Sequence, residues 1–252
     1  MKKHIVFCLL NLTLVIVSKA QTFDAPALII SAGPTFQNIK SESFNQFQKN
    51  YIAYYANSID KTKYAPGTGF YFQINIAPYF NTEYTTHSSK KEILFKNGDK
   101  MGFNFKSRQW RLNFGFGIGE LEDDQICFKP ELGLGFGRNH LECNFQTSNS
   151  QAMDLLLDGK YRDGNIFLNL GLAVHVKPSD SPIGFKAYLR QNWTILAFEM
   201  TDDSKPFLED RIPIDYVAWR NTPKGDYLGD AVKGNFRFFE VGLGLSLIFA
   251  DL

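Results

Sequence analysis

Trp110-Arg111-Leu112-Asn113-Phe114-Gly115-Phe116-Gly117-Ile118 changes character at every residue. Successive side chains of an extended chain point to opposite faces, so this period of two predicts a strand with Trp110, Leu112, Phe114, Phe116 and Ile118 on one face. Arg111, Asn113, Gly115 and Gly117 form the other. The same division recurs downstream. Leu132, Leu134 and Phe136 alternate with Lys129, Glu131, Gly133 and Gly135, and Ile166, Leu168, Leu170, Leu172 and Val174 with Asn169, Gly171, Ala173 and His175. Towards the end of the chain Phe239, Val241, Leu243, Leu245, Leu247 and Phe249 alternate with Glu240, Gly242, Gly244 and Ser246.

The second face decides which side is inward. In a water-soluble sandwich the apolar face is the inner one, and its opposite is rich in Lys, Glu and Thr for contact with water. Here that opposite face is largely glycine, which weakens a strand and offers solvent nothing. Glycine makes sense where space is tight, inside a narrow barrel whose apolar face meets lipid. The charges interleaved with it, Arg111, Lys129, Glu131, Lys186, Arg190 and Glu240, are then expected to pair as a network in the lumen.

Working outward along the chain, alternation and turn signals give eight strands, at about 27 to 38, 68 to 80, 84 to 96, 101 to 118, 126 to 146, 165 to 177, 183 to 199 and 235 to 250. The connection at 81 to 83 holds no glycine, and residues 68 to 96 also read as a single long strand, which would leave seven. Asn97-Gly98-Asp99 is a strong hairpin signal, because Asn and Gly tolerate the positive φ that primed turns need. Short connections near 81 to 83, 119 to 125 and 178 to 182 alternate with residues 39 to 67, the Asn97 hairpin, 147 to 164 and 200 to 234. The expected fold is all-β: an eight-stranded antiparallel up-and-down transmembrane β-barrel with short periplasmic turns and longer extracellular loops.

The start of the chain reads as an export signal: Lys2 and Lys3, an apolar run from Ile5 to Val17, then Ser18-Lys19-Ala20, with cleavage predicted between Ala20 and Gln21. The expected division is residues 1–20 as signal peptide and residues 21–252 as one barrel domain. The apolar run is shorter than the about 20 residues a membrane-crossing helix needs. Cleavage would remove three of the 27 basic residues and none of the 26 acids, leaving 27 − 3 = 24 against 26, a net charge of −2. That balance gives no sign of a nucleic-acid partner. Cys127 and Cys143 lie 143 − 127 = 16 residues apart on one expected strand, roughly 50 Å at about 3.3 Å per residue, too far to pair. His is scarce and CxxC spacing is absent, so neither a metal site nor a cofactor is expected.

Ser18-Lys19-Ala20-Gln21, the glycine-alternating Asn113-Phe114-Gly115-Phe116-Gly117 and the closing Val241-Gly242-Leu243-Gly244-Leu245-Ser246-Leu247-Ile248-Phe249 together resemble the small outer-membrane barrels of the OmpA/OmpX type. They are similar also to the barrel-only outer-membrane proteins common in Bacteroidetes. The resemblance implies an outer-membrane location, lipid around the barrel and insertion by the outer-membrane assembly machinery; it carries over no catalytic residue.

Function is expected in the long connections. Phe44, Phe47, Tyr51 and Tyr54, with Tyr55, recur at helical spacing behind Ser43 as a cap, and Tyr216, Trp219 and Tyr227 stand in the acid-rich stretch 200 to 234. These aromatics are the candidates for contact with an extracellular or periplasmic protein partner. An eight-stranded barrel is just wide enough to be filled by its own side chains, so bulk porin activity is disfavoured. The expected function is a non-enzymatic filled scaffold that presents its loops for surface contact or envelope integrity. Two rivals stand beside it: a lipid-modifying or hydrolytic barrel enzyme relying on His87 or His140, and a soluble periplasmic or secreted barrel that holds a ligand.

Overall fold

A computed structural model describes residues 28–40, 67–77, 79–94, 98–115, 117, 126–146, 159–178, 181–203, 214, 233 and 236–249. Eight long strands form one wall: β1 (Leu28–Lys40), β2 (Gly67–Ala77), β3 (Phe80–Leu94), β4 (Lys100–Gly115), β5 (Ile126–Gln146), β6 (Gly159–Val176), β7 (Ile183–Ala197) and β9 (Arg237–Phe249). A two-residue strand, β8 (Thr201–Asp202), is added beside the start of β6. Every neighbour is antiparallel, the eight long strands follow one another round the wall in chain order, and β9 pairs with β1, so the sheet closes and has no free edge within the barrel. Closure is what lets a sheet sit in lipid, because each strand satisfies its neighbour's backbone groups.

Register fixes the dimensions. Followed once round the wall, Ile29 pairs with Asn75, then Asn81, Asn113, Gly133, Asn169, Asn192 and Phe238, and returns to β1 at Ile39, a stagger of 39 − 29 = 10 residues. Ten residues at about 3.3 Å, set against eight strands about 4.7 Å apart, tilt the strands by about 40° and make a backbone cylinder about 16 Å across. Opposed long side chains meet across such a width.

The outer surface of this cylinder carries the apolar stripe. Trp110, Leu112, Phe114, Leu132, Leu134, Phe136, Leu243 and Leu245 are all exposed, while Arg111, Asn113, Glu131 and Glu240 are buried. On β5 the stripe runs from Ile126 to Phe136, 136 − 126 + 1 = 11 residues, which at that tilt covers roughly 27 Å. That is the height of a bilayer's hydrocarbon core, and the fold is a transmembrane β-barrel. Among the described residues no helix is long and apolar enough to cross a membrane, which bears only on helical spans.

Residues 68 to 96 form two strands, not one. Ala77 pairs with Phe80, so the two strands meet with only two residues between them, and the sequence there holds a proline, which has no N–H to donate to a ladder. Residues 81 to 83, expected in the turn, are instead the start of β3. β6 likewise begins at Gly159, six residues earlier than 165, and Thr201 and Asp202 pair with its early part. The hairpin expected at Asn97-Gly98-Asp99 keeps its glycine at φ 88, while Asn97 lies outside the described residues. Outside them too lie residues 1–27 with the expected signal peptide, Pro78, and the greater part of the connections 41–66, 147–158 and 204–232.

Inside the wall, glycine gives room to large neighbours. A Cβ on Gly242 would fall within the Tyr188 ring, one on Gly135 would meet the Phe167 ring, and one on Gly171 would stand 3.2 Å from Cγ of Arg190. The small face noted in the sequence is therefore the complement of a few bulky inward side chains.

Candidate functional site

Four strands deliver charge to the same height of the lumen by their alternation alone: β3 supplies Glu83, β4 Arg111, β5 Glu131 and β9 Glu240. From β7 come Lys186 and Arg190, each inward because Gly184, Tyr188 and Asn192 share their parity. Arg111 Nη1 donates to Glu83 at 2.7 Å, and its Nη1 and Nη2 reach the Glu240 carboxylate at 3.1 and 2.5 Å. It also donates to Gln109 Oε1. Arg190 grips Glu83 with both terminal nitrogens, at 2.6 and 3.0 Å, and reaches Glu131 at 3.0 Å. Lys186 Nζ lies 3.8 Å from Glu83 and over the Tyr71 and Tyr188 rings.

The result is a chain of contacts, Glu240 to Arg111 to Glu83 to Arg190 to Glu131, that crosses the lumen between β3–β5 and β7–β9. Three cations and three carboxylates balance. Neutral partners complete the carboxylates: Tyr188 Oη donates to Glu240 at 2.6 Å, Thr35 Oγ1 to the same oxygen at 3.4 Å, and Asn81 Nδ2 to Glu131 at 2.9 Å. Isolated charge in this low-dielectric setting would cost several kcal/mol, and the arrangement avoids that by giving each ion partners of opposite sign. Its side chains are buried and turned to one another, and at this height they occupy the lumen.

Above the network, towards the long connections, the inner face becomes apolar. Ile93, Met101, Phe103, Phe105, Leu141 and Tyr161 point inward and are buried, and Phe236 and Phe238 pack with them. The Phe105 and Phe236 rings are 4.8 Å apart. Met200 and Ile214 from the β7–β9 connection join this layer, and the Ile214 N–H donates to the Met200 carbonyl at 3.0 Å. Between the two layers Asn139 donates to Asp163 at 2.6 Å.

The expected lumen residues fall as follows. Arg111, Glu131, Lys186, Arg190 and Glu240 lie together, whereas Lys129 is buried on the same face but outside the ion-paired chain among the described residues. Glu83 was missed: it occupies the stretch read as a turn, and only the alternation of Asn81, Glu83, Thr85 and His87 against Thr82, Tyr84 and Thr86 could have placed it. His87 points inward, with Nε2 3.4 Å from Thr35 Oγ1, and Ser88 points to the opposite side, 3.5 Å from Asn104. His175 is buried near the short-turn end, and His140 is outward, 3.8 Å from Asp203. Cys127 and Cys143 lie towards opposite ends of β5 and are not disulfide-bonded. No cluster of His, Cys, Asp and Glu able to hold a metal occurs among the described residues. Phe44, Phe47, Tyr51, Tyr54, Tyr216, Trp219 and Tyr227 lie outside them.

A closed, staggered wall with lipid-facing apolar residues and an ion-paired interior defines a small transmembrane β-barrel of the outer-membrane type. No family model and no curated protein matches the chain. Solved structures similar to it include Ail, the attachment invasion locus protein of Yersinia pestis, in complex with the heparin analogue sucrose octasulfate, at 10% identity and a TM-score of 0.39, covering 89% of this chain and 99% of that one. Neisserial surface protein A is 14% identical with a TM-score of 0.41, over 90% of this chain and 100% of its own. The outer membrane protein OprG from Pseudomonas aeruginosa is 13% identical with a TM-score of 0.45, over 90% and 97%. These superpositions are loose, and the class rests on the register and the two faces of the wall.

Proposed function

We propose that this chain is a non-enzymatic outer-membrane protein, exported through the signal at residues 1–20, whose filled barrel is a scaffold for the long connections. The long-loop end faces outward, the short turns face the periplasm, lipid surrounds the apolar stripe and the outer-membrane assembly machinery inserts the wall. The loops, with their aromatic residues, then serve surface contact with a protein partner or the integrity of the envelope.

The observation that carries this reading is the ion-paired chain across the lumen beneath an apolar layer, which supports a barrel that serves as a scaffold in preference to a conduit. Planar-bilayer recording of the purified full chain tests it. Membranes containing the barrel are expected to show no sustained open-channel steps, and steps of porin size would overturn the scaffold reading. Location is tested separately by fractionating the envelope and comparing unheated with boiled protein on an SDS gel. A protein in the soluble fraction, without a mobility shift on boiling, would remove the membrane assignment and leave a soluble ligand-holding barrel.

A further inference from the structure

Just above the apolar stripe, at the long-loop end, β4, β5 and β6 turn a run of cations outward. The last apolar row is Trp110 opposite Phe136, opposite Ile166. The next row up is Arg108 opposite Arg138, opposite Gly164, and the one above it is Lys106 opposite His140, opposite Arg162. Arg108, Arg138 and Lys106 are exposed. Asp203, from the β7–β9 connection, lies 2.7 Å from Arg162 and 3.8 Å from His140; Glu142, a row higher, accepts from Asn104 at 3.5 Å.

Two like charges directly opposite on an antiparallel pair have Cβ atoms about 5 Å apart and repel. Arg108 and Arg138 hold that position, with no ion pair of their own among the described residues. Gly164 beside Arg138 has no side chain, and the Phe198 ring covers it, 3.4 Å from where a Cβ would stand, so an apolar surface borders the arginines on that side. The opposite boundary of the stripe is apolar on the outside, with Leu28, Phe80, Phe114, Ile126 and Phe249, so the cations mark one leaflet.

We infer that this collar, Arg108 and Arg138 with Lys106 and Arg162, is a binding site for the phosphate of a membrane lipid headgroup in the leaflet at the long-loop end. The guanidinium fork matches phosphate oxygens in a bidentate way, and an anion between the two arginines turns their repulsion into shared attraction. Height selects lipid over a soluble polyanion: the arginine pair lies one row beyond Trp110 and Phe136, at the level where phosphates border the hydrocarbon. Acyl chains of the same lipid would lie along Trp110, Leu134 and Phe136.

The inference rests on the membrane-spanning reading, and the test separates the two. Full-length protein in neutral detergent is titrated, with native mass spectrometry as readout, against diphosphoryl lipid A, the same lipid with its phosphates removed, inorganic phosphate and a soluble sulfated sugar. The phosphorylated lipid is expected to bind at least about tenfold more tightly than the dephosphorylated one, and R108Q/R138Q to abolish that difference. R138Q alone serves where the double variant fails to fold, and the heat-dependent gel shift reports folding independently. Equal binding of both lipids by a protein that still shows the shift overturns the collar while leaving the barrel intact. Binding of the sulfated sugar as tightly as the phosphorylated lipid would also overturn it, in favour of a soluble glycan.

Discussion

β4 contains two barrels' worth of logic in one strand. From Trp110 to Gly115 its even positions are apolar and outward and its odd ones polar and inward; from Met101 to Phe105 the odd positions, Met101, Phe103 and Phe105, are apolar and inward, and Asn104 and Lys106 face out. Pairing with β3 and β5 continues without a register shift through the change, so the backbone does not move; only the medium outside does. β5 and β6 repeat this, with Leu141, Cys143 and Tyr161 inward above Phe136 and Ile166. In the lower region lipid rewards an apolar exterior, and the interior can hold ions because they pair. In the upper region water surrounds the wall, and the interior becomes a small apolar core of the usual kind.

The most damaging way to test that contrast is to strip a partner from the lower interior. Arg190→Leu removes the ion pair of Glu131 and one of the two arginines on Glu83, and should lower stability by about 3–5 kcal/mol, read as a fall in the urea midpoint of the folded, unheated gel band. An unchanged midpoint would mean the network is not closed as described.

The exterior comes next. Leu134→Lys places a charge on the lipid face and is expected to cost about 2–4 kcal/mol in bilayer refolding, whereas Asn144→Lys, on the same strand and the same face but above the stripe, should change stability by less than about 0.5 kcal/mol. Similar costs at both sites would erase the boundary between the two regions.

Leu141→Ala probes the upper core, with an expected loss of about 2–3 kcal/mol and earlier protease cleavage at the long-loop end, while insertion into liposomes proceeds as before. Apart from the Asn144→Lys control, the smallest effect is expected at Gly242→Ala. Its new methyl meets the Tyr188 ring and should cost about 1–2 kcal/mol, whereas the same substitution made in a Tyr188→Ala background, where the ring is gone, should recover most of that increment relative to Tyr188→Ala alone. Failure of that recovery, measured on the same urea curves, would place the strain elsewhere.

What the sequence makes legible follows the same division. The lipid-level strands stand out because an apolar residue at every second position is a pattern that neither a helix nor a solvated loop produces. Arg111, Glu131, Arg190 and Glu240 fall on the inner face by parity with glycine. Glu83 is hidden by its place beside a turn, where two residues more or less in the connection exchange strand for loop. The beginning of β6 is hidden for a different reason: Lys160, Arg162 and Gly164 resemble a solvated loop, because above the membrane the outer face of a strand is meant for water. The upper core was not anticipated at all, since Phe103 and Phe105 carry the opposite phase to Phe114 and their role depends on the height at which the bilayer stops.

By itself the sequence determined that each strand has two unlike faces and which residues share one, since alternation is a property of the extended backbone. The tertiary structure decided which face is inside at each height and which charges meet. Both follow from closure: a stagger of ten residues narrows the cylinder until Arg190 on β7 and Glu83 on β3, 107 residues apart in the chain, fall within 2.6 Å. No local pattern encodes that distance, because it is set by the sum of all eight registers.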